Sequence, residues 1–542
     1  MSKLVEHLRK HLDGEVLMDP SALNYFSTDG SIFKVTPKVI VYPKHATDVR
    51  KLARFSWQLA ERGQHLPLTA RGKGTDQAGA ALGNGMILVM PAHMNRLLGF
   101  DKTDVVVQPG MLFGDLQRTL HSHGRFLPPY PSSLEFSTVG GAVANNAGGE
   151  KSLKYGSSRD YVKSLDVVLA NGQLIQAAKI SSKELDRKKG QADFEGEIYR
   201  QLDGLLLDNE EVINQVRPQV SKNAAGYCLW EIKGNDGSFD LSKLLVGCQG
   251  TLGITTAITF TTEPYNHQTH LLAIFFDDLD KMGEAIPRLQ KLNPSAMEVV
   301  DRNLLDFLQR KQPRSLEGLI EGELPATLLL VEFDDAKPHT RKQKAKKANG
   351  LLKDLAIQAW LSTDPDEQER LWGIRHSVAA VLWQDKGSKK ALPVTEDGIV
   401  PVAKLPQFLK RVYDIFKKHH LEIAVWGHGG DGHLHMQPFL DLSNTGDRQT
   451  VFKLMDEFYH LVINMGGATS GEHNDGRLRA VYLEDLYGHE MYQLFREVKR
   501  IFDPHNTLNP GVKIDVQKED LVHILRKEYS MKHLHDHLPH LA

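Results

Sequence analysis

The nine residues Gly427–His435, read Gly-His-Gly-Gly-Asp-Gly-His-Leu-His, leave the chain few ways to fold around them. Side chains alternate faces along an extended strand, so His428 and His435, an odd number of positions apart, would point to opposite sides. Joint use of the two imidazoles requires a chain reversal between them, which the intervening glycines permit because glycine tolerates positive φ. Downstream the chain reads Ser470-Gly471-Glu472-His473-Asn474-Asp475-Gly476. His428, His435 and Glu472 form a candidate facial N,N,O ligand set for a divalent metal, with positions open for substrate oxygens. His473 then remains as a candidate base. Taken alone, the pattern is equally consistent with solvated glycine turns and structural histidines.

With 542 residues, the chain is too long for one simple core and predicts roughly two to four domains. Apolar content of 41% and charged content of 25% are those of a soluble globular enzyme. A net charge of −2 with both signs interspersed gives no basic footprint for nucleic acid. No apolar run approaches a membrane span, and the first residues lack the apolar core of a signal peptide, so a cytoplasmic location is expected, with peripheral membrane contact left open. Cys228 and Cys248 are the only cysteines. They exclude a disulfide framework and a four-cysteine iron–sulfur cluster within this chain.

Residues 1–34 read as a helical lead-in, and Val39 to Tyr42 as the first clear strand. Asp48 to Gly63 shows helical spacing with a glycine stop. Further strands are expected at Met86 to Met90, Val105 to Gln108 and Leu165 to Ala170. The alternation lacks the rhythm of a doubly wound sheet, which points to α+β subdomains.

Two glycine loops lie in this half. In Arg71–Gly79, small residues let backbone N–H groups converge on one anion, with the Thr75 hydroxyl nearby. Gln77 stands where a dinucleotide fingerprint has its third glycine, and there is no P-loop. In Ser137–Gly149, the backbone can again approach a flat or charged ligand closely. Either loop alone is consistent with a tight turn. Both together, ahead of the histidine cluster, favour a diphosphate cofactor.

These loops, Lys154-Tyr155-Gly156, Lys222–Leu229, Val246–Ile254, the two histidine segments and Phe502–Gly511 occur in an order that resembles FAD-linked oxidases of the vanillyl-alcohol-oxidase type. More narrowly, the chain resembles their D-2-hydroxyacid dehydrogenase branch, which includes D-lactate dehydrogenases, glycolate oxidase flavin subunits and D-2-hydroxyglutarate dehydrogenases. The resemblance implies an α+β fold: a lead-in at 1–34, a two-subdomain PCMH-type FAD-binding domain at 35–265, a ferredoxin-like substrate-capping domain at 266–515 whose end returns to the flavin, and a tail at 516–542. It implies that Arg71, Gly72, Lys73, Gly74, Thr75, Asp76 and Gly79 hold the FAD diphosphate. Thr138, Gly140, Gly141, Asn145, Gly148 and Gly149 would surround the ring and ribityl chain, Gly253 and Ile254 would line the cofactor, and Asn509 would reach the flavin ring. Covalent relatives carry histidine where this chain has Thr75, so non-covalent FAD is expected. Three departures stand out: Gln249 replaces a family Glu, His433 a common Asn, and Asn474 a common Gly.

The expected reaction is oxidation of a D-2-hydroxy acid of the D-lactate, glycolate or D-2-hydroxyglutarate class to the 2-keto acid. Hydride passes to flavin N5 and the hydroxyl proton to His473, while a divalent metal, zinc first with manganese or iron as alternatives, lowers the hydroxyl pKa. Arg375 resembles the family's substrate-binding arginine, whose fork suits a carboxylate. A helix-surface salt bridge is its plain alternative. Glu396 reads as part of a solvated turn, with contact to the metal ligands as the alternative. The histidine-rich end, His533, His535, His537 and His540, reads as a flexible polar tail. Electrons are expected to leave to a separate iron–sulfur protein or a quinone, with oxygen as the last choice, and a homodimer is one expected assembly. Two other readings stand: a metal-dependent hydrolase on the same cluster, and a flavin subunit of an electron-transfer complex without turnover of its own.

Overall fold

A computed structural model of the chain describes residues 3–320, 322–384 and 387–540; positions 1–2 and 541–542 of the expected lead-in and tail lie outside the described residues. The fold is α+β, built on three main sheets. In the first, Val39–Tyr42 and Leu68–Arg71 flank Met86–Val89 in parallel. Val39–Tyr42 and Met86–Val89 are buried along their whole length, as expected of strands covered on both faces. Glu15–Leu17 adds an antiparallel edge strand, so the lead-in is not purely helical: its strand separates helices Lys3–His11 and Pro20–Tyr25. The second sheet has six antiparallel strands, in the order Phe239–Asp240, Leu174–Ile180, Val162–Val168, Ile254–Thr261, Asp104–Val107, Leu97–Asp101. Ile254–Thr261 alternates buried and half-buried positions, the period-two pattern of a one-sided sheet.

The third sheet positions the site. Its seven antiparallel strands run Gln358–Ser362, His270–Phe276, Thr327–Phe333, Ala296–Asp301, Ile423–His428, His433–Leu440, Lys390–Ala391. Helices cover both faces. Leu272, Ile274, Met297, Val299, Leu329 and Val331 join a core with helices Leu279–Gln290, Pro338–Leu351 and Leu405–Lys418. The intervening positions Leu271, Ala273, Phe275, Val300, Leu328 and Leu330 pack against Arg302–Lys311 and Pro365–Gln384. The central strands therefore read as unbroken apolar runs, and an acid placed in one must find its partners inside the protein.

The chain end returns to the first sheet. Leu68 N donates to Thr507 O and Asn509 N to Leu68 O, both at 2.8 Å. The Asn509 amide donates to Ala80 O at 2.9 Å and Gln249 O at 2.8 Å, and accepts from Thr69 Oγ1 at 2.9 Å. No described helix is long and apolar enough to cross a membrane.

The histidine-rich end is not the free tail its composition suggests. After helix Lys518–Ile524, Arg526 N donates to Ile32 O, and the Tyr529 hydroxyl donates to Gly30 O at 2.8 Å. His533 is buried, and its Nε2–H donates to Gly74 O in the first glycine loop at 3.0 Å. Tyr25 Oη caps His533 O at 2.9 Å, and Tyr42 Oη donates to Pro539 O. Tyrosines on the first subdomain supply the partners, which is why tail composition alone does not reveal the docking.

Burial, reinforced by the nearby charges of Arg71, Arg526 and Lys73, lowers the His533 imidazole to about 4. The unfolded imidazole binds its proton near pH 6.5, so the docked neutral form is favoured above that value and loses its advantage as pH falls from 6.5 towards 4. Hydrogen exchange over residues 525–540, corrected for the intrinsic rate, is expected to show less protection at pH 5 than at pH 7.5. Equal protection at the two values would contradict the docking role given to His533.

Candidate functional site

The chain reversal demanded by Gly427–His435 is a hairpin. Strands Ile423–His428 and His433–Leu440 pair with His428 opposite His433 and Trp426 opposite His435. Gly432 closes the turn at φ +70°, and a Cβ there would lie 2.2 Å from Val400 O, so the turn needs glycine twice over. The Ser470–Gly476 loop is held against this hairpin by Asp397. Its carboxylate accepts Glu472 N at 3.1 Å, His473 N at 2.9 Å and the Ser470 hydroxyl. Asn474 takes the left-handed conformation, φ +67°, which Asn adopts more readily than most residues; this accommodates the departure from Gly. Its side chain donates to Asn145 O and Gly247 O, tying the loop to the second glycine loop.

Glu472 Oε1 lies 3.0 Å from His428 Nε2, 3.3 Å from His435 Nε2 and 3.8 Å from His473 Nε2. The other ring nitrogen of each histidine meets a buried carboxylate: His428 Nδ1 is 2.7 Å from Glu298 Oε1, His435 Nδ1 3.3 Å from Glu396 Oε2, and His473 Nδ1 2.7 Å from the same Glu396 oxygen. A carboxylate accepts, so each Nδ1 carries a hydrogen, and each Nε2 faces Glu472 Oε1, where a cation that displaced the Nε2 proton would meet a nitrogen lone pair and a carboxylate oxygen together. This is the arrangement of imidazoles prepared for a cation. Donor atoms of His428, His433, His435 and Glu472 all lie within 4.8 Å of one another. The N,N,O set thus fits a divalent ion, and the chemistry of the donors suits zinc or another first-row metal.

The electrostatics agree. Burial opposes a charged His428, but the Glu298 and Glu472 carboxylates outweigh it and lift the imidazole to about 9. Burial likewise opposes charge on His473, and Glu396 and Asp397 raise it to about 10. Burial alone would raise Glu472; the positive charge of His428 and Lys222 instead holds it well below the usual carboxylate range. Acids in excess of fixed cations make this a place that draws protons or metal. His433 differs: burial, then the charge of Lys222, lowers it to about 3. It stays neutral, with Nε2 2.9 Å from Asp397 Oδ1 and Nδ1 buried with no hydrogen-bond partner.

The cluster forms one end of a long pocket whose other walls are the two glycine loops. Thr75 Oγ1 lies 3.3 Å from Ser137 Oγ, Asn145 Nδ2 donates to Asp76 Oδ1 at 3.1 Å, and a Cβ on Gly72 would lie 2.3 Å from Thr138 Oγ1. The loops face each other too closely to admit side chains at such points, a cradle suited to an extended diphosphate cofactor such as FAD. Of the residues expected to hold the cofactor, all but Gly79, Gly149 and Asn509 line this pocket. Gly79 and Gly149 are needed for their turns, at φ +83° and +157°, and Asn509 spends its side-chain amide on the carbonyls of Ala80 and Gln249. Arg71 lines the pocket but gives its guanidinium to Phe26 O, Thr28 O and Ala81 O, anchoring the loop. Gln249, in place of the family acid, receives Gly476 N at 2.8 Å and donates to Asn145 Oδ1 at 2.9 Å, so it joins the histidine loop to the glycine loop.

Arg375, His435, Glu472 and His473 line the same pocket; His428 lies just behind it. Arg375 is no surface salt bridge: it is buried, its Nε donating to Glu298 Oε2 at 2.7 Å. Glu396 is no solvated turn either. It is fully buried, bound to His435, His473 and Arg479, because the Val394–Pro401 segment runs beneath the hairpin. Two groups escape motif reading. Glu298 appears only as an acid within the apolar stretch Ala-Met-Glu-Val-Val-Asp, a conspicuous choice for a central strand. Lys222, in the Lys222–Leu229 segment, is buried with Nζ 2.8 Å from Glu472 Oε2 and 3.0 Å from Ser152 Oγ.

Residues 37–178 match the family described as FAD binding domain, and residues 266–512 the family described as FAD linked oxidases, C-terminal domain. The chain is 29% identical to a D-2-hydroxyglutarate dehydrogenase of Pantoea ananatis over 90% of its own length and 48% of that protein's. It is 28% identical to a D-lactate dehydrogenase of Archaeoglobus fulgidus, over 87% of this chain and 90% of that one. It thus spans about half the length of the Pantoea relative and most of the Archaeoglobus one. The structure of p-cresol methylhydroxylase with substrate bound shares the fold, with a TM-score of 0.67 at 15% identity over 95% of this chain and 96% of that one.

Removing the Lys222 ammonium while keeping its bulk, Lys222→Met, leaves Glu472 Oε2 buried and unpaired. The expected cost is about 3–5 kcal/mol of folding stability, read from urea unfolding of the metal-free protein. A cost of about 0.5 kcal/mol or less, typical of a surface change, would contradict the pairing.

Proposed function

We propose, from the premise that this chain belongs to the FAD-linked oxidases, that it oxidises a small D-2-hydroxy acid to the 2-keto acid, using non-covalent FAD and a divalent metal. The observation that carries the reading is the convergence of His428 Nε2, His435 Nε2 and Glu472 Oε1 beside His473 and Arg375, at one end of the pocket that both glycine loops line. The names of the dehydrogenases similar to this chain support the substrate class. A hydrolase built on the same cluster would leave the glycine-lined length of the pocket without a role.

In this reading His428, His435 and Glu472 would hold the metal, and the loops at 71–76 and 137–148 would hold FAD. The chemistry supplied on binding is a hydride acceptor, from FAD, and a positive charge that lowers the pKa of the substrate hydroxyl, from the metal. Arg375 orients the substrate by pairing its guanidinium with the carboxylate. His473 keeps its Nδ1–H on Glu396; a cation held on Glu472 would oppose the charge that Glu396 and Asp397 favour on this imidazole, so that its Nε2 would be free to take the hydroxyl proton as the C2 hydrogen leaves with its electron pair. Lys222 keeps the second oxygen of Glu472 occupied, leaving Oε1 directed at the cluster. The electrons would leave to a separate acceptor, an iron–sulfur protein or a quinone.

Anaerobic addition of D-lactate, D-2-hydroxyglutarate, D-malate or glycolate is expected to bleach the flavin band with at least one of them, and not with L-lactate. Chelation should abolish the bleaching and zinc or manganese restore it. His473→Asn should slow flavin reduction by about 10²–10⁴-fold while FAD and metal contents stay unchanged. A metal-replete, FAD-loaded protein whose flavin none of these acids reduces would sink the proposal.

A further inference from the structure

Glu298 is a carboxylate of the cluster that neither the ligand set nor the proton path uses. It stands in mid-strand in Ala296–Asp301, all of whose positions are buried, directly opposite His428. Its neighbours Met297, Val299 and Val300 are core residues. An ionised carboxylate there is costly unless both oxygens are engaged. They are: Oε1 faces His428 Nδ1 and Oε2 faces Arg375 Nε, each at 2.7 Å. Arg375 comes from helix Pro365–Gln384 and His428 from the end of strand Ile423–His428, so one side chain fastened to the sheet fixes two groups from separate elements.

We propose that Glu298 is a positioning residue with two separable duties: it sets the tautomer of His428, and it anchors the Arg375 guanidinium. This rests on the metal and carboxylate-binding roles proposed above. A carboxylate only accepts, so it obliges His428 to keep a hydrogen on Nδ1, which leaves Nε2 as the nitrogen that ligates. It meets Arg375 at Nε. Lys222 cannot substitute for either duty, since it pairs with Glu472 alone among the ligands.

An amide separates the duties. Arginine can only donate, so in Glu298→Gln the amide oxygen must face Arg375 Nε and the amide NH2 must face His428 Nδ1. The imidazole then accepts at Nδ1 and carries its hydrogen on Nε2, where it blocks the metal. Glu298→Met removes both contacts at similar volume.

The test is zinc affinity, by competition with a chromogenic chelator on FAD-loaded, metal-stripped protein, together with KM and kcat for the reducing hydroxy acid at saturating zinc. Glu298→Gln is expected to lose about 10–100-fold in zinc affinity, the usual effect of losing a carboxylate that orients a metal-bound histidine, while its KM at saturating zinc stays at the wild-type level. Glu298→Met is expected to lose zinc affinity similarly and also to raise KM by about tenfold or more, the value of a hydrogen bond to a charged group. Wild-type zinc affinity in Glu298→Gln, or equal KM in the two variants, would overturn the proposal. If Glu298→Met fails to retain FAD, Glu298→Asp decides: it keeps an acceptor opposite Nδ1, so its zinc affinity should exceed that of Glu298→Gln, and equal losses would overturn the proposal. Failure of the underlying reading looks different: wild-type protein would then bind no zinc tightly, or His435→Ala would bind it unchanged.

Discussion

Burying ionised carboxylates in and beside a largely apolar sheet is unfavourable unless each oxygen meets a donor, and this site holds Glu298, Glu396, Asp397 and Glu472. Satisfying them draws together segments that are far apart in the chain. Arg375 and His428 come to Glu298; His435, His473 and Arg479 to Glu396; the Ser470–His473 backbone to Asp397; Lys222 and His428 to Glu472. The partners share one consequence, since His428, His435 and His473 each have Nδ1 committed to a buried carboxylate and Nε2 facing Glu472. The fold's most demanding electrostatic problem and its most reactive geometry are the same set of contacts.

The two halves of the molecule divide the work around that set. The central strands of the third sheet give the hairpin a rigid floor with helices on both faces, which suits a site whose donor atoms must hold their spacing. The first and second sheets supply the glycine loops, which approach closely at Gly72, where a Cβ would collide with Thr138 of the other loop. Gln249 and Asn474 stitch the halves together at the pocket, and the returning Thr507–Asn509 segment closes the first sheet.

Much of this was legible in the residue order. The hairpin at Gly427–His435 follows from an odd spacing of histidines and a run of glycines, and His428, His435 and Glu472 converge as that reading required. The two glycine loops declare themselves by composition, and most of their residues line one pocket. What stayed hidden were the partners. Glu298, Glu396 and Lys222 are single residues whose roles depend on contacts with segments tens to hundreds of positions away; the apolar setting of Glu298 signals burial, but nothing local names its partners. The histidine-rich end failed for the same reason: its polar composition says tail, while Tyr25, Tyr42 and Gly74 elsewhere in the chain provide the bonds that dock it. Glycine spacing encodes local shape, whereas charge pairing is settled only when the sheets assemble.

The central claim is that the converging imidazoles and Glu472 hold a divalent cation within reach of a flavin. Anomalous diffraction from crystals of the FAD-loaded protein, at the absorption edge of the metal found by elemental analysis, tests it most directly. The account predicts one peak bonded to His428 Nε2, His435 Nε2 and Glu472 Oε1 at about 2.0–2.2 Å. An active, metal-replete protein whose peak lies elsewhere, or that shows none at these three atoms, would contradict it.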